Sequence, residues 1–103
     1  MLLRRVMVRY RLKPDRAGEN RRLIMAVFSE LKQSSPDGIR YATFSQPDGL
    51  SFVHFASIET AGGSNPLAAV AAFKTFGADI KDRCEEPPVV VDLTEVGSYR
   101  FFD

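Results

Sequence analysis

Ile39-Arg-Tyr-Ala-Thr-Phe-Ser-Gln-Pro-Asp-Gly-Leu-Ser-Phe-Val-His-Phe-Ala-Ser-Ile58 is the stretch that decides the fold. Ile39 to Gln46 reads as one strand and Leu50 to Ile58 as another, rich in β-branched and aromatic residues. Between them, Pro47 presets φ for the first turn position, Asp48 takes the second, and Gly49 supplies a positive φ. This pattern predicts a type I turn closed by a glycine bulge. That register sets Ala42 opposite His54, with Phe44 and Phe52 on the histidine's face. A two-residue Asp48-Gly49 loop would instead set Thr43 opposite His54 and bring Tyr41 to that face. Pro47 favours the first.

Outward from the hairpin, Arg5 to Leu12 alternates, with Val6, Val8, Tyr10 and Leu12 pointing one way, as a strand with one apolar face does. Pro14-Asp15 ends it and opens a helix from about Arg16 to Ser34, with Asp15 as N-cap. Leu23, Ile24, Val27, Phe28 and Leu31 form its apolar stripe. Ser35-Pro36-Asp37-Gly38 stops it. Beyond the hairpin, Gly62-Gly63 sits in a short loop, and Asn65-Pro66 caps a second helix running to about Cys84. Its stripe is Leu67, Val70, Phe73, Phe76 or Gly77, and Ile80. Pro87-Pro88 forces extended chain, and Val89 to Val96 is the last strand. Tyr99 to Asp103 is a tail. The order is βαββαβ in a single α+β domain spanning residues 1–103, with a four-stranded antiparallel sheet and two helices on one face.

A four-stranded sheet is about 19 Å wide at about 4.8 Å per strand. Two helices, each roughly 10 Å across, cover one face and no more. The other face is not polar. Phe52, Val53 and Phe55 put bulk on both sides of one strand, and Val89, Val90, Val91, Leu93 and Val96 do so on the last. Strands buried on both faces look like this. A homodimer packed sheet against sheet through the open face is therefore expected.

The 103 residues carry 14 basic and 13 acidic side chains, a net charge of +1, so there is no field to attract nucleic acid. Asp48-Gly-Leu-Ser-Phe-Val-His-Phe55 echoes an RNA-recognition signature, but Asp48 replaces its basic residue and Leu50 one stacking aromatic. No nucleic-acid partner is expected. The start, Met-Leu-Leu-Arg-Arg, lacks a signal-peptide core, and no apolar run reaches the roughly 20 residues that span a bilayer. Cys84 is the only cysteine, which excludes an internal disulfide and suggests a reducing, cytoplasmic setting.

Among chemical groups, His54 is the single histidine, placed mid-strand. It is the candidate general base or substrate hydrogen-bond partner. The competing reading is a core histidine satisfied by its neighbours, since no carboxylate is placed by sequence to orient it. Cys84 ends a helix, where a thiolate is not favoured, and reads as an incidental thiol. One histidine, one cysteine and scattered carboxylates give no metal-ligand spacing, so no metal is expected. Glu85-Glu86 reads as a solvated pair, and Gly62 to Pro66 as capping rather than an anion site. The tail aromatics Tyr99, Phe101 and Phe102 would clasp a partner subunit or fray.

Four segments carry a resemblance. They are Arg9-Tyr-Arg-Leu-Lys-Pro-Asp15 before the first helix, Pro36-Asp-Gly-Ile-Arg-Tyr41 into the second strand, Phe52-Val-His-Phe-Ala-Ser-Ile-Glu59 along the third, and Phe73-Lys-Thr-Phe76 on the second helix. Their order and spacing resemble the dimeric α/β-barrel superfamily, and within it the antibiotic-biosynthesis-monooxygenase-like proteins. The resemblance implies a ferredoxin-like fold, a dimeric α/β barrel, and no cofactor. It also implies a pocket between sheet and helices, lined by Val8, His54, Ile58, Phe73 and Phe76, for a small aromatic or apolar molecule. Members include oxygenases that oxidise aromatic substrates without metal or flavin, and haem-degrading enzymes. Some use an Asn on the first strand, a Trp ending the third and a His on the second helix. Those positions fall near Val8, Ile58 and Ala72, none of which keeps the family's group. Two functions follow as expectations: a cofactor-independent monooxygenase or small-molecule binder, and a non-catalytic dimer that is structural or sequesters a ligand.

Overall fold

The structure is a computed structural model that describes residues 3–102. Met1, Leu2 and Asp103, on which part of the reading of the start and of the tail falls, lie outside the described residues. The elements are β1 (Arg4–Leu12), α1 (Ala17–Ser34), β2 (Ile39–Ser45), β3 (Ser51–Ile58), α2 (Ala71–Ala78), α3 (Ile80–Arg83) and β4 (Cys84–Leu93). The strands make one antiparallel sheet in the order β2-β3-β1-β4. This is the expected ferredoxin-like α+β architecture. Among the described residues, no helix is long and apolar enough to cross a membrane.

The hairpin register corrects the favoured expectation. Thr43, not Ala42, faces His54, and Tyr41 faces Ala56. The chain turns through Pro47 to Leu50, with Gly49 at φ 72° and its N–H donating to Gln46 O at 3.0 Å. Pairing resumes where Gln46 N–H donates to Ser51 O at 2.8 Å. The cause is Asp48. Its carboxylate accepts the N–H groups of Leu50 (2.9 Å) and Ser51 (2.8 Å) and the Ser51 hydroxyl (2.7 Å). Those bonds hold its pKa down at about 2. Leu50 is thus kept in the loop, where its carbonyl accepts from Leu12 N–H at 2.9 Å. One extra loop residue moves every later pair by one and swaps which β2 side chains share the face of His54.

Three boundaries also differ. Asp15 does not cap α1, because Pro14 opens a 3-10 turn over Pro14–Arg16 and Arg16 instead reaches Glu19 at 2.7 Å. The second helix is broken rather than continuous. Asn65 Oδ1 caps a short turn, Pro66–Ala69, by accepting Leu67 N–H at 3.0 Å. Val70 is extended (φ −86°, ψ 113°) and buries its side chain, and α2 starts anew at Ala71. Its first amides are met from afar: Glu30 on α1 accepts Ala71 N–H at 3.0 Å and Ala72 N–H at 2.9 Å. Finally, β4 begins at Cys84 and carries Pro87-Pro88 inside it. It is an edge strand with register shifts opposite Arg9 to Leu12, where a missing N–H donor is tolerated.

Tyr10 and Leu12 of β1 and Phe52 of β3 meet Ile24 and Val27 of α1 and Phe76 of α2 in one core. The opposite face carries Arg5, Met7, Arg9, Phe44, Val53, Phe55 and Val89 and, among the described residues, has no helix over it, as expected. Phe44 is 53% exposed and Val89 46%. The tail crosses part of this face of its own sheet. Glu95 pairs with Arg5, whose guanidinium lies 3.7 Å from the Phe102 ring centre. Tyr99 and Phe101 remain exposed.

Glu30 supplies the cap that α2 lacks locally. Its replacement, Glu30→Ala, is expected to lower the stability of the fold by about 1 kcal/mol, the usual worth of an N-terminal cap. A urea titration would show a lower midpoint with an unchanged slope.

Candidate functional site

Period-two alternation on β1 and β3 sends Val8, Tyr10, His54 and Ala56 toward the helices. The corrected register adds Tyr41 and Thr43 from β2. Facing them across the sheet are Leu67, Phe73, Phe76 and Ile80. Between the layers is a cavity of about 120 Å³ whose walls include Val8, Tyr10, Tyr41, His54, Phe73 and Phe76. Its one exposed lining residue is Asn65, so its mouth lies where the second helical region begins. Cavities of about 150 Å³ lined by apolar side chains take up benzene. This one, at about 120 Å³, is somewhat smaller than that.

His54 is 4% exposed and sits in an aromatic cage. The rings of Tyr10 (5.3 Å), Phe76 (5.4 Å) and Tyr41 (5.8 Å) surround it. Its Nε2 lies 2.8 Å from Tyr10 Oη, and its Nδ1 lies 2.6 Å from Tyr41 Oη and 3.0 Å from Thr43 Oγ1. Burial without a carboxylate partner pushes its pKa down to about 4, so the ring is neutral. Burial likewise raises both phenols, Tyr41 to about 12 and Tyr10 further. The cluster thus offers uncharged hydrogen-bonding groups at neutral pH, not a phenolate or an imidazolium.

The polar chain continues inward. Asn20 Nδ2 donates to Tyr10 Oη at 3.0 Å, and Arg83 Nε donates to Asn20 Oδ1 at 3.1 Å. Arg83 Nη2 donates to Phe76 O at 2.6 Å, while Nη1 has no partner among the described residues. Asn20 and Arg83 are both fully buried.

Of the residues expected at the site, His54, Val8, Phe73 and Phe76 come together around the cavity. Ile58 is buried on the same strand face, but it pairs with Arg4 and Ile39 at the far end and does not line the cavity. Tyr10, Tyr41, Asn20 and Arg83 complete the cluster without a local sequence signal that marks them as site residues. Tyr10 reads as plain core, and Tyr41 depends on the hairpin parity. The other two left a trace, since Asn20 shares the helical phase of Ile24 and Val27, and Arg83 that of Phe76 and Ile80. Cys84 is buried, which raises its pKa, although Arg83 and Lys13 oppose this. Among the described residues, no three His, Cys, Asp or Glu side chains gather to hold a metal ion.

A histidine held neutral in the fold makes stability depend on pH. The unfolded chain takes up a proton near 6.5, whereas the folded chain resists until about 4. Stability from this source is complete above pH 6.5 and is lost as pH falls toward 4. The loss is on the order of 3 kcal/mol. Denaturation of wild type and His54→Gln at pH 7 and pH 4 is expected to show the smaller acid loss in the variant, since the carboxylate contributions are common to both.

No family model and no curated protein matches the chain. Solved structures do. Rv0793 from Mycobacterium tuberculosis superposes with a TM-score of 0.74 at 19% identity, over 94% of this chain and 98% of that one. An antibiotic biosynthesis monooxygenase gives 0.71 at 17%, over 93% and 100%. A Nitrosomonas europaea protein provisionally assigned to the same monooxygenases gives 0.70 at 17%, over 91% and 90%. The chain therefore has the fold of the antibiotic-biosynthesis-monooxygenase-like structures, as the resemblance in its sequence implies.

Proposed function

We propose that the protein is a cytoplasmic homodimer that takes a small aromatic or apolar molecule, about one ring in size, into the cavity beside His54. Cofactor-independent oxygenation is the activity this binding would serve. The observation that carries the reading is the cavity itself: apolar walls with a few converging polar groups, the usual composition of a ligand site. Val8, Phe73 and Phe76 contribute apolar contact, and His54 with the two phenols contributes hydrogen bonds. Without a redox cofactor the substrate must supply both electrons that reduce one oxygen atom of O₂ to water. That restricts it to electron-rich rings such as hydroquinones and other phenols.

The dimer is supported by the open sheet face. A groove of about 330 Å³ there is lined by Phe44, Phe55, Phe101, Phe102 and Arg5, among others. Exposed apolar surface of this kind marks an association site. The single buried cysteine fits a reducing compartment.

A second reading, a non-catalytic dimer that sequesters its ligand, is favoured by one observation. Both ring nitrogens of His54 already face protein hydroxyls, leaving no lone pair free for a substrate proton. Two measurements separate the readings. Calorimetric titration with phenol and hydroquinone is expected to show binding to wild type and none to Ala56→Leu, whose larger side chain fills the cavity. Aerobic incubation with hydroquinones is expected to show turnover above a His54→Ala control. Binding without turnover selects the sequestering reading, and no binding removes both. Sedimentation is expected to show a dimer that Phe44→Asp dissociates.

A further inference from the structure

Arg83 and His54 are joined by a chain of hydrogen bonds through Asn20 and Tyr10. Guanidinium groups only donate hydrogen bonds. Arg83 Nε therefore requires the carbonyl oxygen of Asn20, which turns the Asn20 amide nitrogen toward Tyr10. Tyr10 Oη accepts from that amide, and its other neighbour within hydrogen-bond reach among the described residues is His54 Nε2. If Nε2 carried the proton, Tyr10 would accept twice and its own buried proton would have no acceptor, at the full cost of an unmade bond. We propose that Arg83, acting through Asn20 and Tyr10 as a one-way chain of hydrogen bonds, fixes His54 with its proton on Nδ1 and its lone pair on Nε2.

The direction carries through to the cavity. Nδ1–H then donates toward Tyr41 Oη and Thr43 Oγ1, so Tyr41 accepts from the histidine and its own proton is left for the neighbouring Thr43 hydroxyl or for a bound molecule. Tyr41 lines the cavity. The site offers a neutral donor to a bound molecule, and it selects a ring bearing an acceptor oxygen, such as a carbonyl, over a plain hydrocarbon. The tautomer requires no ligand. Its consequence for selection rests on the reading of the cavity as a binding site. Arg83 and Asn20 touch no ligand and are positioning residues.

Because the chain holds a single histidine, its ring nitrogens can be read without assignment ambiguity. Two-bond proton–nitrogen correlation spectra of the intact protein at pH 7 are expected to show a protonated Nδ1 and an unprotonated Nε2. Free histidine side chains in water prefer the reverse. Wild-type spectra with the proton on Nε2 would overturn the proposal, whatever the variants do. Asn20→Asp reverses the chain by design. A carboxylate beside Arg83 only accepts, so it claims the Tyr10 proton, and Tyr10 can then only accept from Nε2. The expected result is a switch to Nε2–H, which a merely structural role for Asn20 would not produce. An unchanged tautomer in folded Asn20→Asp also overturns the proposal. With benzaldehyde and toluene as probes, wild type is expected to bind the aldehyde several-fold tighter, a preference lost in Asn20→Asp. If neither probe binds, the ligand reading of the cavity fails while the tautomer result stands.

Discussion

A guanidinium with no carboxylate partner among the described residues lies at zero exposure in this small domain, and much of the interior is arranged around it. Taking a charge out of water is costly unless its donors are met. Arg83 offsets part of the cost with one amide oxygen, one backbone carbonyl and the face of Phe76, 5.2 Å from its centre, while its Nη1 has no partner among the described residues. These partners come from α1 and α2, and the chain that starts from them ends on β2 and β3. A single buried side chain thus ties both helical regions to the middle of the sheet. Truncating it would leave Asn20 and Phe76 O unpaired together. The coupling is structural before it is chemical.

The strand pair β1–β3 serves two separate environments. On one side, Tyr10 and His54 sit among neutral polar groups in a packed interior. On the other, Arg5 donates to Ser57 Oγ at 3.2 Å, Ser57 donates to Glu59 at 2.6 Å, and Arg40 meets Glu59 at 3.1 Å. Glu95 joins this ladder through Arg5. The ion pairs of this ladder lie on the open face, and the one buried charge on the histidine's side among the described residues is Arg83, held off by Asn20 and Tyr10.

Much of this was legible in the sequence. The alternation of Val6 to Leu12, the Pro47-Asp48-Gly49 turn and the stripe of α1 are local signals, and local signals gave the element order and the layers. The failures share a cause: long-range or side-chain partners that no window of sequence contains. Pro47 and Gly49 point to a bulged turn, yet the Asp48 carboxylate captures two amides and lengthens the loop by one residue, exchanging Ala42 for Thr43 beside His54. The break before Ala71 is possible because Glu30, 41 residues away from it, caps the new start. For the site, Val8, Phe73 and Phe76 could be placed by periodicity. Ile58 shares their face, but strand parity says nothing about distance along the strand. Asn20 and Arg83 occupied apolar phases of their helices, a mismatch that marks a buried polar pair.

That mismatch bears on what the cavity can do. Electrostatic control of chemistry needs charges or oriented dipoles close to the reacting atom, and here the one buried charge among the described residues is separated from the cavity by Asn20 and Tyr10. What reaches the cavity is therefore direction rather than field: which oxygen donates and which accepts. Neutral hydrogen bonds in a dry site discriminate strongly, because a mismatched partner strands a buried donor. They move protons poorly when the available base has a pKa near 4. The same burial that limits His54 to directional, neutral hydrogen bonds makes it a weak base. Under the proposed oxygenase reading, a substrate would have to be acidic or readily oxidised already, and the walls around it would have only to hold it in place.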